Sequence, residues 1–133
     1  MTNWPEILAT AIATDFDDVP VFSNVDPTRE YNGGKTIEFN VQNVKTVPVI
    51  NGSVYYDFQM IAACRAPTYN QALALLITLR ELLQPLFRQY ITEKSIVSAF
   101  FQTVEVQADA RGLVEGESFY GLLNFTITEN ERG

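Results

Sequence analysis

Apolar positions along this chain follow two different periods, and the points where one gives way to the other mark its elements. Near the start, Ile7, Leu8, Ala11 and Ile12 recur at helical spacing and form one apolar stripe. They predict a helix over 5–14. Pro5 suits its first turn, Asn3 or Trp4 would cap it, and Asp15, Asp17 and Asp18 close it. The segment 19–24 reads as a short strand that Pro20 confines to a sheet edge. A polar loop over 25–34 ends in Gly33 and Gly34.

The period then falls to two. Ile37, Phe39 and Val41 alternate with Thr36, Glu38, Asn40 and Gln42, which predicts a strand with one wet face. Asn51-Gly52 between apolar runs signals a hairpin, because both residues tolerate positive φ. The returning strand over 53–63 carries Val54, Tyr56, Phe58, Met60 and Ala62 on one face. Pro67 bars an earlier helix start, and Thr68 with Gln71 fits a capping box for a long helix running to about Tyr90. Two strands complete the chain, over 95–106 and 117–128. In the second, Phe119, Gly121, Leu123, Phe125 and Ile127 share a face. In the first, the apolar parity shifts between Phe101 and Val104, which predicts a bulge near Gln102. The order α-β-β-β-α-β-β predicts a single α+β domain over 1–133. Its sheet is antiparallel or mixed with long hairpins, and two main helices pack on one face.

The second helix carries more apolar surface than one sheet face can use. At 100° per residue, Asn70, Gln71, Ala74, Thr78, Glu81, Pro85 and Arg88 occupy one narrow side. Leu73, Leu75, Leu76, Ile77, Leu79, Leu82, Leu83, Leu86 and Phe87 spread over roughly 220°. A helix packed on one sheet needs about 100° or somewhat more. Leaving three large side chains wet would forgo roughly 5–8 kcal/mol of burial. The surplus predicts cover by the first helix and the 25–34 loop, or by another subunit. Leu75, Arg80, Leu82 and Leu86 are the candidate contact residues. Arg80, inside the arc, needs either a carboxylate partner or a route to the rim. Pro85 falls on the water-facing side, where a missing backbone hydrogen bond is tolerable.

Composition narrows the function. The chain has 133 residues, 47% hydrophobic and 19% charged, as expected of one globular domain. Its formal net charge is −7, which disfavours sequence reading on DNA. Acids gather at the two ends, with Glu6, Asp15, Asp17, Asp18, Asp26 and Glu30 against Arg29 in residues 1–30. Residues 105–133 hold Glu105, Asp109, Glu115, Glu117, Glu129 and Glu131 against Arg111 and Arg132. No apolar run reaches the roughly 20 residues that span a bilayer. The start has no basic region ahead of an apolar one and reads as mature sequence.

Little in the chain suggests catalysis. It contains no histidine, the commonest base and metal ligand, and one cysteine, Cys64, which reads as a buried structural thiol. No phosphate-binding glycine motif occurs. The Asp15–Asp18 run lacks the ligand spacing of a calcium loop, and Asp109 with Glu117 has nothing to fix its separation. No cofactor or metal is expected, and the chain reads as a non-enzyme. The many tyrosines suggest protein contacts more than nucleotide stacking.

The ordering of these segments resembles that of the tail terminator proteins of long-tailed bacteriophages, the minor tail protein U type. The likeness runs over most of the chain. It rests on the amphipathic start "WPEILATAIAT", the strand "KTIEFNVQ", the passage "SVYYDFQMIAACRAPTYNQ" into "ALALLITLRELL", and the closing "TVEVQADARGLVEGESFYGLLNFTITEN". The resemblance implies a viral structural protein that assembles as a homo-hexameric ring on the completed tail tube. It would act at the head-proximal end of the virion tail, after assembly in the host cytoplasm. Implied partners are further copies of itself, the tail tube protein and the head-side connector, with DNA passing through the lumen without specific binding; the gathering of acids at the two ends predicts that this lumen is acidic. No catalytic residue is implied. A different head–tail joining or tail-tube-like protein remains open, as does a small ligand-binding or enzymatic α+β domain.

Overall fold

The computed structural model describes residues 2–16, 18–24, 34–48, 54–93, 96–108 and 119–130, with residues 97, 100 and 102–108 described as backbone only. The polar loop over 25–33, the Asn51-Gly52 turn and the link over 109–118 lie outside these residues.

Helix α1 (Trp4–Ile12) starts where the sequence places it. Asn3 caps it: its side-chain oxygen accepts from the backbone N–H of Glu6 at 3.4 Å, while its amide donates to the Glu6 carboxylate at 3.0 Å. A short 3₁₀ turn, Ala13–Asp15, follows. Strand β1 (Val21–Ser23) leads into β2 (Thr36–Pro48), β3 (Val54–Ala66), α2 (Tyr69–Glu93), β4 (Ile96–Ala108) and β5 (Phe119–Asn130). The five strands form one sheet in the order β1-β2-β3-β5-β4. The architecture is α+β, as the element order predicts.

The sheet is mixed rather than wholly antiparallel. β1 runs parallel to β2, with Val21 opposite Ile37 and Ser23 opposite Phe39. Ile37 donates its N–H to the Pro20 carbonyl at 3.0 Å, and Asn24 donates to the Phe39 carbonyl at 2.9 Å. Asn24 adopts φ 53°, a left-handed conformation that asparagine accepts more readily than most residues. A parallel neighbour needs a crossover of about a dozen residues, and the segment between the two strands is long enough to supply it.

Parity along the strands decides what enters the core. Ile37, Phe39, Phe58, Met60, Ala62, Cys64, Leu123, Phe125 and Ile127 are buried on the face that carries the helices. The bulge expected near Gln102 is present: Phe101 pairs with Phe125 and Thr103 with Asn124, leaving Gln102 unmatched. β2 carries a second bulge between Val41 and Asn43, which returns Val44 to the core side. A third interrupts β4 between Ile96 and Ser98.

Both helices lie on the same face of the sheet. α1 packs over β1 and β2, and α2 over β3, β5 and β4. Their ends meet where the Trp4 ring lies 5.7 Å from that of Tyr90. The indole N–H of buried Trp4 donates to the Glu129 carboxylate at 2.7 Å, and the Thr2 hydroxyl donates to it at 2.6 Å. These bonds fasten the start of α1 to the end of β5.

Candidate functional site

Helix α2 begins at Thr68, whose hydroxyl accepts from the Gln71 N–H at 3.2 Å. The helix continues past Pro85, which stands on the exposed side, to Glu93. Ala72, Leu76, Leu79, Leu83, Phe87 and Tyr90 form the stripe buried against the sheet. Phe87 stacks 5.5 Å from both Phe101 and Phe125. Near the other end, Gly121 of β5 lets the helix descend. A Cβ there would lie 3.0 Å from Leu76 Cδ2 and 3.4 Å from the Ala72 carbonyl oxygen.

The four residues expected at a subunit contact do not cluster. Leu75 is 8% exposed and belongs to the core. Almost none of its surface is left for a neighbour, because it lies close enough to the buried stripe for the chain's own core to enclose it. Leu82 and Leu86 are half-buried, with Leu86 packed against the core cluster. On an ideal helix these three leucines lie on one side of the buried stripe and Arg80 lies on the other. Arg80 is exposed, and its guanidinium sits 5.5 Å from the centre of the Phe101 ring. Of the two routes the sequence left open for this arginine, the geometry matches the one to the rim. Because Phe101 belongs to β4, that side of α2 faces the sheet's outer edge.

The apolar surface of α2 that stays most exposed lies on the Arg80 side. Among the described residues the large exposed hydrophobic side chains are Val47, Tyr69, Ile77 and Ile91, and three of them belong to α2. Tyr69 is 49% exposed, Ile77 48% and Ile91 47%. With half-buried Leu73 and exposed Arg80 they line the flank toward β4, and Arg88 and Glu81 border it. The helical wheel places Ile77 in the apolar arc but cannot say which end of that arc stays open. That depends on α1 sitting over β1 and β2, at the end of the sheet away from β4. Ile91 falls beyond the expected helix end, and Tyr69 lies at its capping turn.

Other features offer less chemistry. Cys64 is fully buried, and burial pushes its thiol up to about 12. Burial, followed by the charge of Glu93, raises the Tyr90 hydroxyl above its ordinary value. On the helix-free face Arg65 pairs with Glu38 at 3.5 Å and lies 5.4 Å from the Tyr120 ring centre. A shallow, open depression of about 370 Å³ is lined by Ala13, Phe16, Asp18, Val19, Pro20 and Val21. Among the described residues Asp18 is the one ionisable group in that lining. Among the described residues no three acids, cysteines or histidines gather to hold a metal, and no helix is long and apolar enough to cross a membrane.

A scan against protein-family models returns no match, and a search of curated proteins finds no similar sequence.

Proposed function

We propose that this chain is a structural virion subunit of the tail-terminator kind. It joins copies of itself in a hexameric ring on the end of the tail tube, stops further tube growth and offers the surface on which the head-side connector seats. The observation that carries this reading is the exposed flank of α2, where Tyr69, Ile77 and Ile91 remain about half in water above the last strand of the sheet. A run of large apolar side chains along one side of a helix is costly to leave wet, and such surfaces commonly serve as contacts with other proteins. The flank lies at one end of the sheet and α1 lies at the other, so the molecule has two unlike sides. A closed ring needs that asymmetry, because each contact joins two different patches. The order of the elements, which resembles that of tail terminators, supplies the identity of the ring.

Electron microscopy of lysates from a phage lacking this chain tests the proposal. Over-long, headless tails are expected. Tails of normal length that carry heads would contradict it, and short or absent tails would indicate a tube-building role instead.

A further inference from the structure

The geometry points to one contact between copies: the α2 flank of one chain receives the α1–β1 side of the next. This rests on the ring reading and specifies which surfaces meet. Three features of the molecule converge on it.

The first is strand direction. β1 and β2 run one way, and β4 runs antiparallel to them through β5 and β3. Setting copies side by side about an axis along the strands therefore brings β4 antiparallel to the neighbour's β1 and β2. Beyond Phe39, β2 has no outer partner among the described residues. The bulges near residues 97 and 102 break the β4 edge, which discourages an indefinite ladder and leaves recognition to side chains.

The second is the helix layer. α1 overlies β1 and β2 while α2 overlies β4, on the same face. Joining the two sheet edges therefore lays the neighbour's α1 along the open flank of α2. That position covers Ile77.

The third is charge. Exposed Arg80 stands within the flank and exposed Arg88 at its margin, where Glu81 is its neighbour on an ideal helix, while Glu93 lies well away from it. Through Asn24 the chain contains no lysine or arginine, and Glu6, Asp15 and Asp18 are exposed there. Arg80 and the acids around α1 and β1 are opposite in sign, and such complementarity selects partner and register. A second α2 flank brought against the first would set arginine against arginine.

Two charge-reversed chains test this contact: Arg80→Glu with Arg88→Glu, and Asp15→Lys with Asp18→Lys. All four positions are exposed, so circular dichroism should report native folds. Self-association is read by sedimentation and native mass spectrometry. Each chain alone should associate at least about tenfold more weakly than the wild type. An equal mixture should recover to within about threefold, with the two chains alternating. If each reversed chain associates as the wild type does, or if mixing restores nothing, the contact is wrong. Normal tail termination by both reversed chains would leave the ring reading standing and reject this interface alone. A wild-type chain that neither self-associates nor affects tail length would overturn the ring reading itself.

Discussion

Gly121 sets how closely the long helix approaches the sheet. With Leu76 already at 3.0 Å from where a Cβ would stand, Gly121→Ala must push α2 outward or force Leu76 from its rotamer. A loss of about 1–3 kcal/mol is expected, measurable as a lower urea midpoint with an unchanged slope. Cys64 gives a second residue-scale expectation. Burial lifts its thiol from an ordinary 9.0 to about 12, so between those values the native chain keeps a proton that the unfolded chain has released. The thiol's contribution to stability is therefore whole below pH 9.0 and declines as pH rises toward 12. Near neutral pH the native protein should resist iodoacetamide, and the unfolded protein should react. Rapid alkylation of the native state would contradict this burial. At this scale the local signals were legible: Asn3 and Thr68 cap the helices that their positions predict. The Trp4–Glu129 hydrogen bond was not, because its partners are 125 positions apart and no local pattern joins them.

Strand parity shows what an element reveals and what it conceals. The shift between Phe101 and Val104 predicts the Gln102 bulge, which the register confirms. The same kind of shift, from Val41 to Val44, marks the β2 bulge, although the alternation over 36–42 alone reads as an unbroken strand. The parallel pairing of β1 was hidden, since a strand of three residues fixes no orientation by pattern. On α2 the wheel finds the exposed side correctly, from Asn70 through Arg88. It puts Leu75 in the apolar arc, and the core encloses that residue, but the width of the arc says nothing about which end the rest of the chain covers. This separation of core from flank is testable. Leu83→Asp puts a charge in the fully buried stripe and should unfold the monomer at ordinary temperature, as circular dichroism would report. Ile77→Asp should cost the monomer less than about 1 kcal/mol in a urea titration, since half of that side chain is already in water. An unfolded Ile77→Asp chain would mean that the flank belongs to the core.

The whole molecule is asymmetric: a helix-covered acidic side, a sheet, and an opposite edge where an apolar flank that includes Arg80 stands open. Topology creates that difference, and neither composition nor periodicity contains it. The most direct measurement is the length of tails made when the only copy of this chain carries Ile77→Asp. The account predicts over-long tails without heads, while the variant chain stays folded and monomeric in the same lysate. Tails of normal length, joined to heads by a folded Ile77→Asp protein, would contradict it.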